Sequence, residues 1–471
     1  MPVNRSLSAI LFTTILVGCM PPAPMTASTP VPVVGSPGMN DPYYPNLGNG
    51  GYDVQHYLIA LDIDPPNNTI RGSTTITANA MEYLESFNLD LQGLEIESIT
   101  VNEAPAEYSR NDHELTITPA QPLPASELFN VFVQYHGSPG LVPIAGGPFQ
   151  MGWSHGEGGV INVWGEPDAA SVWFPNNNHP RDKATFRFEI SVPDPWMVAA
   201  TGSLRETLEE GEQTTFVWEM NHPMATYLAS INIDQYEVVT QAGPDGLTIR
   251  NYFPADFPAS LRIPAAVLPA VIDFFNDLFG PYPFDEYGVV MASTEGFCAQ
   301  TETALETQSL SLHCPSVYMT SETVIVHEVA HQWFGNSVSL ENWKDIWLKE
   351  GMATYSEWLW ESRNEPSALR RIAERNRFGF FDSSLSVAEP SESNLYTNES
   401  YSGGALVFYV LHQYVGDETF FSILRTYMER YGDGYAGTDE FISIDEEVSG
   451  QDLDPLFEAW LFSAKLPALP E

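Results

Sequence analysis

Four residues constrain this chain more than any other feature, because His327, Glu328, His331 and Glu350 stand at the spacing a catalytic metal site requires. The first three lie in VIVHEVAHQWFGN, residues 324 to 336. Residues four apart share one face of a helix, so this segment, read as a helix, aims two imidazoles at one point and sets Glu328 beside them. Eighteen residues separate His331 from Glu350, which falls in WLKEGMATY, a second helical pattern. Its carboxylate completes a His, His, Glu set: three protein ligands and one open position, as a catalytic zinc site has. Core histidines and a solvated helix charge would explain these residues singly, but not their joint spacing. One Zn2+ ion is the cofactor the set calls for.

The remaining sequence divides into two textures. At 471 residues the chain is long enough for two domains with sizeable cores. Up to about residue 245, segments such as HYLIALDID, STTITANA, LFNVFVQY and ATFRFEISV alternate apolar with polar residues between Pro, Gly and Asn turns, the pattern of half-buried strands. Beyond it, longer helical patterns dominate, including AAVLPAVIDFFNDLF, SEWLWESR and SGGALVFYVLHQYV, with short strands such as YGVVMAS between them. The expected organisation is therefore an all-β domain over 48–245 and a mostly helical α+β domain over 246–471. Thr320 or Ser321 is the candidate N-cap of the first metal helix. Val324, Ile325, Val329 and Phe334 are expected to bury around its metal-binding face.

Charge and the N-terminus bear on partners. Lys and Arg number 19 against 62 Asp and Glu, a formal net charge of −43, which repels a phosphate backbone and excludes nucleic acid as a partner. The acidic residues are spread along the chain, implying an acidic solvated surface suited to a saline habitat. Arg5 followed by LSAILFTTILVG reads as a signal peptide over residues 1–18, too short to span a bilayer as a mature helix. Leu16, Val17, Gly18 and Cys19 resemble a bacterial lipobox, so Cys19 is the candidate lipidation site; the alternative is a plain secretory signal. Residues 19–47, rich in Pro, Ser and Thr, read as an extended tether. Membrane contact is thus expected only through a lipid at Cys19, with the protein on the extracytoplasmic side. Cys298 and Cys314 either bridge in that oxidising compartment or stay as buried thiols, since sequence does not place their Cα atoms. No glycine-rich phosphate loop, no G-x-S-x-G elbow and no complete calcium loop is present, so nucleotide, serine-hydrolase and second-metal readings are set aside.

HEVAHQWFGN followed by WLKEGMATY resembles the aminopeptidase N family of zinc peptidases, the gluzincins that also include leukotriene A4 hydrolase. The similarity runs from about Gly51 to the C-terminus, taking in GYDVQHYLIALDIDP, VWFPNNNHPRDKATF and QDLDPLFEAWLFSAKLP. It implies a saddle-like β domain before a thermolysin-like catalytic domain, and peptide substrates. By resemblance Glu328 binds no metal but takes a proton from water and passes it to the departing amine. Tyr401 in ESYSGGALVFYV matches the family's oxyanion-stabilising tyrosine, although Gly403 stands where that pattern has Lys or Arg. Glu306 in TALET matches the glutamate of the family's GAMEN-type strand, which reads a free α-amine; Thr303, Leu305 and Thr307 depart from it. Glu166 in VWGEPDAA resembles a second amine-binding glutamate, with Trp164 in place of a glutamine, or is a turn carboxylate before Pro167. Larger family members continue past the position of Trp460 into a helical domain, so a more open site is expected here. The expected activity is aminopeptidase; the alternatives are a thermolysin-like endopeptidase, an epoxide hydrolase and a catalytically silent tethered binding protein.

Overall fold

A computed structural model describes residue 1, residues 31–378 and residues 385–470. The candidate lipidation site Cys19 and, save for Met1, the expected signal peptide lie outside the described residues.

Strand alternation in the first half of the chain produces an eight-stranded sheet in the order Ser203–Glu210, Gln213–Ala225, Lys183–Pro193, Tyr52–Asp64, Thr69–Ala80, Leu128–Gly137, Glu95–Val101, Ala104–Pro105. In Tyr52–Asp64 the apolar residues Val54, Tyr57, Ile59, Leu61 and Ile63 are all buried, and the polar residues between them are more exposed. Neighbouring strands are antiparallel except Lys183–Pro193, which runs parallel to Tyr52–Asp64 with Phe186 opposite Tyr57. Those two rings stack at 4.8 Å between centroids, and Phe186 in turn stacks on Phe188 at 5.7 Å. The edge strand Ser203–Glu210 is exposed and carries Glu206, Glu209 and Glu210, charges that oppose edge-to-edge pairing. A four-stranded sheet containing Leu84–Asp90 and Glu114–Thr118, and a five-stranded sheet containing Ile161–Trp164 and Ile231–Asp234, complete this half.

The textural change placed at residue 245 falls inside a hairpin, Tyr236–Ala242 with Thr248–Pro254. Both strands belong to the sheet of the later half, where Thr248–Pro254 lies beside Val289–Met291, followed by Ser311–His313 and then the edge strand Ala304–Leu305. Composition misses this because hairpin strands alternate in the same way whichever sheet they join.

The tether reading is corrected over residues 33–47. Val33–Val34 pairs with Leu84–Asp90, and Asp41 is 1 % exposed. One Asp41 oxygen accepts the amides of Tyr43 and Tyr44 at 2.8 and 2.9 Å, and the other accepts the Trp343 amide at 2.8 Å. Three prolines and two glycines give the segment the look of a linker and conceal this single anchoring carboxylate.

The helices of the second half gather around Trp347–Ser362, almost all of whose residues are buried. Glu322–Ala330 packs on one side of it and Gly404–Val415 on another. The second crossing is close. A Cβ on Gly351 would lie 2.6 Å from the Gly404 Cα, and one on Gly404 would lie 2.7 Å from the Gly351 Cα, so neither position accommodates a side chain.

Candidate active site

His327 and His331 lie on Glu322–Ala330 and at its C-terminal end, as the four-residue spacing requires. Ile325, Val329 and Phe334 bury around them as expected, whereas Val324 lines the cavity instead. Ser321 occupies the N-cap, but its hydroxyl contacts Thr323 Oγ1 at 2.7 Å and makes no capping bond to the helix.

The two His Nε2 atoms are 3.0 Å apart, and Glu350 Oε2 lies 3.2 Å from that of His327 and 3.4 Å from that of His331. Three donor atoms thus converge on one another, the arrangement a single transition ion fits. The far side of each ring is tied down. His327 Nδ1 meets Glu357 Oε1 at 2.8 Å, and His331 Nδ1 meets the Phe334 carbonyl at 3.0 Å. With the Nδ1 proton donated to these acceptors, each Nε2 is left as a lone pair facing the convergence point.

Glu328 is 4 % exposed, and its Oε2 is buried without a hydrogen-bond partner among the described residues. Burial pushes its carboxyl well above the usual range, against the pull of the neighbouring His327 and Lys349. Tyr401 sits in a wide helical turn, Glu399–Gly403, leading into Gly404–Val415; its ring stacks on His327 at 5.9 Å and 18°.

Glu166 comes from the β half and Glu306 follows the edge strand Ala304–Leu305, yet both meet one ammonium. Lys349 Nζ lies 2.5 Å from Glu166 Oε1, 2.6 Å from Glu306 Oε1 and 2.9 Å from Glu350 Oε1. Glu166 does stand in a turn before Pro167, yet it is 3 % exposed. Burial and the neighbouring Glu306 push Glu166 up to about 8. Burial also acts on Glu306, but Lys349 and His331 outweigh it and hold that carboxyl below its usual value. The Glu306 carbonyl is gripped by Asn336 Nδ2 at 2.6 Å and Gln332 Nε2 at 3.3 Å, so the stretch after His331 fixes the strand end against the metal helix.

Glu166, Glu306, Glu328, His327, His331, Glu350 and Tyr401 all line one cavity of about 360 Å³. Phe149, Met151, Phe297 and Tyr396 supply its apolar wall. Trp164, at the site of the expected glutamine, packs on Phe297 at 4.3 Å. Cys298 and Cys314 are disulfide-bonded, closing the loop that carries Thr303 and Glu306. Reading the sequence left out Lys349, Glu357 and Tyr396. Glu357 was legible, because it stands seven residues after Glu350 and so shares its helix face.

Two family models match the chain: the Peptidase M1 N-terminal domain over residues 53–228 and the Peptidase family M1 domain over residues 265–460. Among relatives, Aminopeptidase M1-A of Oryza sativa subsp. japonica is 27% identical over 318 residues, covering 63% of this chain and 36% of that protein. Probable aminopeptidase 2 of Sulfurisphaera tokodaii is 25% identical, covering 88% of this chain and 54% of that protein. The chain therefore spans between about a third and about half the length of these relatives. The crystal structure of an M1 zinc metallopeptidase from Deinococcus radiodurans is 29% identical with a TM-score of 0.85, covering 92% of this chain and 99% of that one. A mutant of a two-domain M1 zinc metallopeptidase bound to L-tryptophan is 28% identical, covers 92% of this chain and 100% of that one, and also has a TM-score of 0.85. With both halves of the family's architecture matched and the metal-binding trio assembled, the chain belongs to peptidase family M1.

Proposed function

We propose that this chain is a zinc aminopeptidase that removes N-terminal residues from peptides outside the cytoplasm, using one ion held by His327, His331 and Glu350. The observation that carries the exopeptidase reading is the meeting of Glu166, Glu306 and Lys349 beside the metal trio. Glu306 is held ionised, and Glu166, raised to about 8, gives up its proton as a second cation arrives, providing a negative charge that a protonated α-amine matches. An internal peptide bond brings no such cation and would leave that charge desolvated.

Zinc, when bound, supplies the Lewis acidity that lowers the pKa of a water from about 15.7 towards about 7. Glu328 takes the proton of the attacking water and returns it to the departing amine, the role its burial suits. The Tyr401 hydroxyl donates to the oxyanion forming at the scissile carbonyl. Glu306 and Glu166 hold the substrate's amine, and so set which peptide bond reaches Glu328.

Arg5 with its apolar run and the lipobox ending at Cys19 support export and lipid anchoring. Among the described residues no helix is long and apolar enough to cross a membrane. Replacing Cys19 with Ser is expected to move the protein from the membrane fraction to the soluble one.

The assignment is tested with aminoacyl chromogenic amides and their N-acetylated counterparts. Wild type is expected to cleave only the free-amine series, and Glu306→Ala to lose kcat/KM on it by about 10²-fold or more, as the loss of a charge-assisted contact implies. Equal cleavage of blocked substrates would overturn the exopeptidase reading.

A further inference from the structure

We propose that Asp90, His113 and Glu114 form a second divalent metal site, for zinc or a similar transition ion, in the β half of the molecule. Asp90 ends the strand Leu84–Asp90, Glu114 opens Glu114–Thr118, and the two are direct cross-strand partners. His113 lies in the hairpin turn just before Glu114, and its carbonyl accepts the Leu91 amide at 2.8 Å. Each of the three residues offers a ligand atom, and these atoms all lie within 4.8 Å of one another.

A cluster of this kind in solvent would carry no weight. Here Asp90 is 1 % exposed. Its Oδ2 accepts the Asn178 amide at 2.9 Å and the Asn49 side chain at 3.3 Å, while its Oδ1 is buried with no hydrogen-bond partner among the described residues. His113 Nε2 and Glu114 Oε1 are likewise buried and unpartnered. Three orphaned donors from three adjacent residues, two of them carboxylate oxygens, are costly to bury unless something binds them together.

One imidazole with two carboxylates is a transition-ion donor set, whereas calcium favours oxygen alone. Bonds of about 2 Å call for small side-chain adjustments. His113 is free to make one, since its side chain is 33% exposed. The Asp90 amide and carbonyl also pair with Asn176. A bound ion would therefore clasp a strand end, a hairpin turn and the Asn176–Asn178 segment, a structural role separate from the catalytic trio.

The test uses the full chain carrying His327→Ala and His331→Ala, which disables the catalytic trio. After equilibration with Zn2+ and removal of the excess, this protein is expected to retain one equivalent of zinc and to melt higher than its chelator-treated form. Adding Asp90→Asn or His113→Gln is expected to abolish both effects; His113→Gln, at an exposed turn, keeps the fold intact should Asp90→Asn not. The proposal is overturned if the trio-disabled protein retains no zinc, if His113→Gln keeps the full equivalent, or if Ca2+ raises the melting point as Zn2+ does.

Discussion

Lys349 Nζ lies 2.6 Å from Glu306 Oε1, joining the residue that precedes a metal ligand to a carboxylate beside the edge strand. Both side chains are sealed from solvent. Removing the ammonium leaves Glu306 and Glu350 without their shared counter-ion and out of water, and breaking a buried ion pair costs about 3–5 kcal/mol. Lys349→Met is therefore expected to destabilise the fold by that order, read by chemical denaturation of the metal-loaded protein. A loss below about 1 kcal/mol would show that the cluster is solvated in solution.

Glu328 lines the cavity beside the trio of His327, His331 and Glu350, and Glu328→Gln tests whether chemistry separates from metal binding. The variant is expected to keep wild-type zinc content while kcat falls by about 10²–10⁴, the range general acid–base groups contribute. Loss of zinc alongside activity would make Glu328 a ligand instead.

Glu357 acts on the metal only through His327, at 2.8 Å from Nδ1. Glu357→Ala frees that ring to rotate and lowers its basicity, and such supporting carboxylates are worth about 10–100-fold in metal affinity. Competition against a zinc chelator reads the change directly. Unchanged affinity would mean that packing alone orients His327.

Asp41 gives a pH signature. Burial raises its carboxyl, but the His179 contact and the amides of Trp343, Tyr44 and Tyr43 outweigh this and hold it below 3.8. A native pKa below the unfolded one contributes stability that is present above the unfolded value and is lost as pH falls through the folded value. Asp41→Asn is thus expected to cost about 1–3 kcal/mol at pH 7, the penalty for disrupting buried hydrogen bonds. The gap between variant and wild type should narrow below about pH 3.8, as urea titrations at the two pH values would show. A gap independent of pH would refute the assignment.

What could be read in the sequence was what is local or periodic. His327 and His331 needed only helical geometry, and the strand alternation of Tyr52–Asp64 needed only a period of two. Glu306, Glu166 and Tyr401 were reached through resemblance, because each meets the metal helix from a different element and no spacing connects them. Lys349 escaped notice because a lysine beside a glutamate on a helix ordinarily faces water; only the fold reveals that three carboxylates surround it. Asp41 was hidden for the same reason, its partner Trp343 lying some three hundred residues away. The disulfide between Cys298 and Cys314 depended on a Cα separation of 5.5 Å that sequence does not encode locally.

Gly351 and Gly404 leave no room for a methyl group between the helix that bears Glu350 and the one that follows Tyr401. The spacing between those two helices is therefore gauged by two hydrogen atoms. A drift to alanine at either place would wedge the two helices apart and shift Tyr401 relative to Glu350, although no polar group of the cavity had been changed.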